Sequence, residues 1–343
     1  MTKYEYDYFE PVKENAIIID WAAGNTCNFQ CSYCDPACWD GGVPWHDFDN
    51  CIRFIDFVWE NICIPQNKIM FFNFHGGEPA LWPEVTKVCE YIKNINENNI
   101  IRLLTNGTRS TKWWTDKAHL FDLLIVSIHE GQTKKEKIVE KFNQVQKSGI
   151  NISLHVMMDI AQFDGCVDTY KYLYDNLIPD VSLQYKPVRI SIRKHELQPY
   201  TDIQLATMNS LQRLNGSPNL KNQSKMQWRK DGEEPVIVKS IENEILLPQL
   251  NDWKDWYCNM GIETLVVQHN GWIKPGSQCF KNLKYGNISD KEYSIPLLPV
   301  KCKWDLCGCL TDLQTTKIKN IKKGDKYIDA DVSTGAYTIT TRD

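Results

Sequence analysis

Cys27, Cys31 and Cys34 stand at spacings of four and three residues, and Cys38 follows four residues later. Thiolates so spaced can wrap one metal centre from a single loop, without help from distant parts of the chain. Three suit a [4Fe–4S] cube with one iron left open; four would close such a cube or hold zinc. An open coordination position is where a substrate or cofactor can bind. A second group, Cys302, Cys307 and Cys309, falls within eight residues, with Cys258 and Cys279 upstream of it. Clustering of this kind in a chain of 343 residues points to metal or redox chemistry rather than to a disulfide framework. The scattered Cys51, Cys63, Cys89 and Cys166 lie in helix-like segments and read as small buried hydrophobes.

Positioning these groups requires elements, and short β-rich runs recur through the first 190 residues. They are Ala16–Trp21, Ile69–Phe74, Ile100–Leu104, Leu123–Ser127, Ile152–Val156 and Val181–Tyr185. Between them apolar residues recur at helical spacing: Ile52, Ile55 and Trp59; Val85, Val88, Ile92 and Ile95; Ile138, Phe142 and Val145. Strands alternating with helices of this length predict βαβ units and a parallel sheet, either open and doubly wound or closed into a partial barrel. In both architectures the chemistry sits at the C-terminal ends of the strands. The motifs obey that rule. The three-cysteine loop follows the first run, and the second leads into His75-Gly76-Gly77-Glu78-Pro79. There two glycines permit close backbone approach and a carboxylate suits an ammonium group. The third run ends in Thr105-Asn106-Gly107-Thr108 and the fourth in Ser127-Ile128-His129.

Beyond residue 190 the pattern changes. A helix is predicted over Ile203–Leu214, then a polar linker, then two β-prone runs, Thr264–Gln268 and Trp272–Pro275, joined by the hairpin signal His269-Asn270-Gly271. Lysines 317, 319, 322, 323 and 326 form a basic tail, read as a solvated surface. With 39 basic and 43 acidic side chains the net charge is −4, which excludes nucleic-acid binding driven by overall charge. No run of about 18 apolar residues predicts a membrane span, and the N-terminus carries no secretion signal, so a cytoplasmic location is expected. The expected division is an N-terminal extension at 1–15, a catalytic domain at 16–215, a linker at 216–230 and a cysteine-rich α+β extension at 231–343.

These residues resemble the radical S-adenosylmethionine (SAM) superfamily, whose signature is C-x3-C-x2-C after the first strand of a partial (β/α)6 barrel. Cys27, Cys31 and Cys34 match the cluster ligands and Tyr33 the aromatic residue before the last cysteine. Gly76, Gly77, Glu78 and Pro79 match the GGEP motif that binds the SAM amino group, and Thr105, Asn106 and Ser127 resemble the small polar residues lining the SAM site. His129 stands where many members carry an acidic residue, and the fifth strand lacks a clean G-x-I-x-G-x-x-E. The resemblance covers about residues 16–190. It implies a SAM-binding [4Fe–4S] cluster and reductive cleavage of SAM to a 5′-deoxyadenosyl radical that abstracts a substrate hydrogen. An electron donor such as a flavodoxin or ferredoxin is implied with it.

The hairpin brings Cys258 and Cys279 toward each other, and Cys302, Cys307 and Cys309 can return to complete a four-thiolate site. This resembles the SPASM and twitch extensions, which carry auxiliary [4Fe–4S] clusters, but with five cysteines in place of seven it implies one auxiliary cluster. Structural zinc is the alternative. The function expected is oxidation or modification of a peptide or protein side chain. The alternatives are a small-molecule (amino-sugar or alcohol) dehydrogenase and, more remotely, a non-enzymatic iron–sulfur or zinc protein.

Overall fold

The computed structural model describes residues 5–12, 15–191, 194–214, 226–238, 244–245, 249–277, 282–307 and 310–342. The chain forms two compact units, each assembled from separated stretches of sequence. One comprises residues 1–21, 49–71 and 223–343, the other residues 22–48 and 72–222.

All six β-rich runs of the sequence are strands: Ala16–Ala22, Ile69–His75, Ile100–Thr105, Leu123–Ile128, Asn151–Met158 and Val181–Pro187. The first two run from one unit into the other. In the second unit Ile69–His75, Ile100–Thr105, Leu123–Ile128, Asn151–Met158 and Val181–Pro187 lie side by side in that order. The pairs from Ile100–Thr105 onward are parallel and in continuous register, for example Ser127 opposite His155 and His155 opposite Gln184. Period-two alternation then assigns the faces. Leu124, Val126, Ile128, Ile152, Leu154 and Val156 fall on one face and are buried. Ser127, Ser153, His155 and Ser182 fall on the other. The apolar Leu154–Met158 stretch, which lacks the glycine motif, thus supplies part of the greasy face.

Helices between the strands cover that face because their apolar residues recur every three or four positions. Val85–Ile95 buries Val85, Val88, Cys89 and Ile92; Lys135–Gln146 buries Ile138, Phe142 and Val145. Phe163–Asn176 buries Phe163, Cys166, Tyr170 and Leu173. Cys51, Cys63, Cys89 and Cys166 have no solvent exposure, as expected of small hydrophobes.

The first unit is built on an eight-stranded sheet ordered Val236–Val238, Met226–Arg229, Tyr8–Pro11, Lys317–Ile318, Tyr257–Cys258, Val300–Lys301, Lys326–Ala330, Tyr337–Thr341. Its core gathers Phe9, Trp228, Trp253, Trp256 and Leu313 around Cys302 and Cys307. Phe9 stacks on Trp253 at 5.2 Å and packs tilted against Trp228 at 4.6 Å. The hairpin forms as predicted, Thr264–Val267 antiparallel to Trp272–Lys274. Its first strand also pairs in parallel with Ala16–Ala22, Thr264 opposite Ile18 through Val267 opposite Trp21. Met226–Arg229, inside the span read as linker, is a strand; residues 215–225 lie outside the described residues. Lys317 corrects the reading of a solvated basic tail. Its strand is flanked on both sides, by Phe9 and by Cys258, so its side chain is buried and its ammonium donates to the carbonyls of Asp312 and Thr315. Lys322, Lys323 and Lys326 are exposed. Among the described residues no helix is long and apolar enough to cross a membrane.

Candidate active site

The cysteine loop leaves the first parallel strand and is closed at its base by one buried side chain. Asn25 donates from Nδ2 to the Ala37 carbonyl (3.0 Å) and to Asp40 Oδ1 (2.6 Å), while its Oδ1 accepts from Val43 N (2.9 Å). Thr26 and Asp40 bridge in the same place. Within the loop Cys34 N bonds to Cys31 O, and Asp35 caps the short 3-10 turn Pro36–Cys38. Cys27, Cys31, Cys34 and Cys38 are all half-buried, and no disulfide joins any of the described cysteines.

The four thiols perturb one another. Burial pushes the Cys27 and Cys31 thiols up. A hydrogen bond with Cys38 raises Cys34 far above the ordinary thiol range, with burial and the charges of Cys38, Cys31 and Cys27 adding to it. Such a set is costly to ionise alone, whereas a bound cationic centre offsets both the desolvation and the mutual repulsion. N–H groups already point at sulfur: Phe29 N lies 3.3 Å and Asn106 Nδ2 3.8 Å from Cys27 Sγ. The donor set therefore fits an iron–sulfur cluster. Among the described residues no group of three His, Cys, Asp or Glu side chains converges tightly enough to hold a single metal ion.

The Gly76–Pro79 turn packs on the stem of that loop. Both glycines have positive φ (86° and 54°), and a Cβ on Gly77 would lie 2.3 Å from the Thr26 carbonyl oxygen. The close approach they permit is to the chain's own backbone, sealed by Glu78 N donating to Thr26 O at 2.8 Å. Pro79 opens the 3-10 turn Pro79–Leu81. Glu78 is 1% exposed. Its Oε1 accepts from Ala80 N (2.9 Å) and Thr105 Oγ1 (2.6 Å), its Oε2 from Asn106 N (2.5 Å). Three of about four lone-pair sites are thus used by the chain itself. Burial pushes the Glu78 carboxyl up, opposed by these hydrogen bonds and by Arg109.

Asn106 spans the rim: its Nδ2 also donates to Asn28 Oδ1 (2.9 Å), and its Oδ1 accepts from Thr108. Ser127 lines a small cavity with Phe29, Asn106, Gly107 and His129. Tyr33 stacks on His129 at 5.9 Å, and the hydroxyl contacts His129 Nδ1. Burial lowers His129 to about 4. Two groups escaped the sequence reading: Asn25, whose role is visible only once the loop closes, and Asp159. Asp159 is buried at the end of Asn151–Met158 with Oδ2 lacking a hydrogen-bond partner.

In the other unit Cys258, Cys302 and Cys307 are buried together. Burial pushes Cys258 up to about 12 and Cys302 to about 11; each is raised further by neighbouring thiols and lowered by Lys317. Cys307 is fixed by exchange of hydrogen bonds with Asn251, and the Cys302 amide by Trp256 O at 2.8 Å. Cys279 and Cys309 lie outside the described residues.

No family model matches the chain. The radical SAM cyclopropyl synthase TigE of Paramaledivibacter caminithermalis is 23% identical over 192 residues, 51% of this chain and 40% of that protein. The chain thus matches less than half of that relative's length. Among solved structures, anSMEcpe with bound AdoMet aligns with a TM-score of 0.53 at 16% identity, over 80% of this chain and 78% of that one. Streptococcus suis SuiB bound to S-adenosylmethionine aligns with a TM-score of 0.50 at 11% identity, over 82% and 66%. Similarity at these identities is a similarity of fold, here a mixed α/β architecture with a parallel sheet. That fold, the C-x3-C-x2-C loop, the Gly-Gly-Glu-Pro turn and the similarity to TigE make the chain similar to radical SAM proteins in both motif and architecture.

Proposed function

We propose that the chain is a radical SAM enzyme that oxidises or otherwise modifies a peptide or protein side chain. In this reading residues 16–215 act as a partial (β/α)6 barrel, in which Cys27, Cys31 and Cys34 hold a [4Fe–4S] cluster with SAM at its open iron. Residues 231–343 carry an auxiliary cluster on four of Cys258, Cys279, Cys302, Cys307 and Cys309, and the protein works in the cytoplasm with a small electron donor. The observation that carries the reading is the convergence of three strand ends. Thr26 O is bonded to Glu78 N, and Asn28 to Asn106, so the cysteine loop, the GGEP turn and the Thr105–Asn106 turn form one rim.

When bound, the reduced cluster and SAM together supply a 5′-deoxyadenosyl radical for hydrogen abstraction. The chain's own residues orient and shield. Glu78 fixes the GGEP turn against Thr105 and Asn106, so the backbone groups of that turn are presented rigidly to a ligand. Tyr33, Phe29 and His129 form an aromatic wall beside Cys31, limiting access of water. The polar face of the sheet offers a hydrogen-bonding floor: His155 Nε2 lies 3.0 Å from Ser153 Oγ, which lies 3.3 Å from Ser182 Oγ, and Arg102 donates to Asn73. A floor of this kind suits a polar substrate such as a peptide. A peptide, Cp18Cys, is the ligand present with AdoMet in one anSMEcpe structure of the same fold.

The test is anaerobic reconstitution followed by reduction with dithionite in the presence of SAM. Formation of 5′-deoxyadenosine is expected, and its loss in a Cys27→Ala, Cys31→Ala, Cys34→Ala variant. Absence of SAM cleavage by an iron-replete parent would sink the reading. Turnover of an amino sugar or alcohol, with no mass change in any candidate peptide, would favour the small-molecule alternative.

A further inference from the structure

His129 follows the strand Leu123–Ile128, at the place where an acidic residue is common in the superfamily, and the structure gives it a different task. Its Nδ1 lies 3.3 Å from Cys31 Sγ. The ring cannot turn away freely: it stacks on Tyr33 at an interplanar angle of 22° and meets the edge of Phe29 at 5.8 Å and 88°. Tyr33 contacts the same nitrogen and is itself hydrogen-bonded to Cys31. Two groups from two separate segments therefore meet at one sulfur.

Ligand chemistry decides which way the hydrogens point. A cysteine that ligates iron does so as thiolate and has no hydrogen to give. Only a nitrogen bearing hydrogen can then bond to it, so the Nδ1–H tautomer of His129 is selected. The Tyr33 hydroxyl, unable to donate to that nitrogen, donates to the same sulfur while its oxygen shares the Nδ1 hydrogen with Cys31. Hydrogen bonds to a cluster's sulfurs stabilise the additional negative charge of the reduced state and so raise its reduction potential.

We propose that His129 is a positioning residue for the cluster, donating from Nδ1 to the Cys31 sulfur and raising the cluster's reduction potential. The proposal rests on the reading of Cys31 as a ligand. Packing alone would ask only for a flat ring between Phe29 and Tyr33, and phenylalanine would serve. The distinguishing property is the hydrogen bond.

The experiment is a redox titration of the anaerobically reconstituted protein without SAM, followed by electron paramagnetic resonance. The signal of this cluster is the one that Cys31→Ala removes. His129→Phe keeps the ring packing and deletes the donor. It is expected to make reduction about tenfold less favourable, a fall of about 59 mV for a one-electron couple. His129→Asn places an amide N–H near the position of Nδ1 and is expected to remain within about threefold of the parent. Should His129→Phe take up too little iron, His129→Leu is titrated in its place with the same expectation. An iron-replete donor-free variant with the parent's potential and g-values overturns the proposal alone. A parent in which Cys31→Ala removes no signal overturns the ligand assignment, and the proposal with it.

Discussion

Glu78 is engaged by its own chain more fully than its place in the motif suggests. Its place in GGEP suggested a carboxylate waiting for an ammonium group, yet three chain donors occupy it. Removing it strands buried donors, each costing about 1–3 kcal/mol. Glu78→Ala is therefore expected to lower unfolding free energy by at least about 3 kcal/mol in denaturant titrations, before any effect on SAM. Glu78→Gln keeps an acceptor for Ala80 and Thr105 but turns an amide toward Asn106 N–H, so an intermediate loss is expected. Equal stability of all three proteins would contradict the assigned bonds. His155 supplies a pH signature. Burial first, then Lys186 and Arg102, hold it at about 3, whereas an unfolded histidine titrates near 6.5. Below about pH 6.5 the unfolded chain binds a proton that the folded chain refuses. Stability from this group is thus complete above that pH and is lost as pH falls toward 3. Between pH 7 and 5 the loss is about 2 kcal/mol, and His155→Gln is expected to remove that part of the slope in urea titrations at the two pH values.

At the scale of elements, the site depends on how closely two turns approach. Gly77 lies against Thr26 with no space for a side chain and with positive φ. A left-handed conformation alone costs a non-glycine residue about 1–2 kcal/mol, and the overlap with a carbonyl oxygen adds to it. Gly77→Ala is expected to separate the GGEP turn from the cysteine loop and to reduce iron at that loop by at least half, measured against iron retained in the Cys27→Ala, Cys31→Ala, Cys34→Ala protein. Full iron content with unchanged thermal stability would show that the turn tolerates a gap. The strands and helices that carry these turns were readable beforehand. Ile138, Phe142 and Val145 at helical spacing are the buried face of Lys135–Gln146, and the six β-rich runs are strands extended by one to three residues. Periodicity reports local geometry, which is why it succeeds there. It says nothing of strand partners, and the parallel pairing of Thr264–Val267 with Ala16–Ala22 had no local signal.

For the molecule as a whole, the two proposed clusters predict separable chemistry. Anaerobically reconstituted protein is expected to hold about eight iron and eight sulfide. A Cys258→Ala, Cys302→Ala variant should lose about half of each yet still cleave SAM with strong reductant, because Cys27, Cys31, Cys34 and Glu78 are unchanged. Product formation on the true substrate should fall sharply. The cysteines lie in the aromatic core of their unit, so a circular dichroism spectrum matching the parent's is the control for folding. Substrate turnover at the parent rate by a folded, iron-halved variant would remove the second cluster from the reaction.

Residue types and spacing determined that this chain carries a C-x3-C-x2-C loop, a Gly-Gly-Glu-Pro turn and polar strand ends, because cysteine spacing and strand periodicity are both local. Even the buried Cys51, Cys63, Cys89 and Cys166 were separable from the ligand candidates by their helical setting. Tertiary structure alone decided which groups meet. Asn25 closes the cysteine loop across 15 residues, His129 reaches Cys31 across 98, and Lys317 is buried although Lys322, Lys323 and Lys326 of the same basic run are exposed. Those outcomes depend on which backbone lies alongside, and a side chain's partner across such separations is set by register and packing rather than by its own composition.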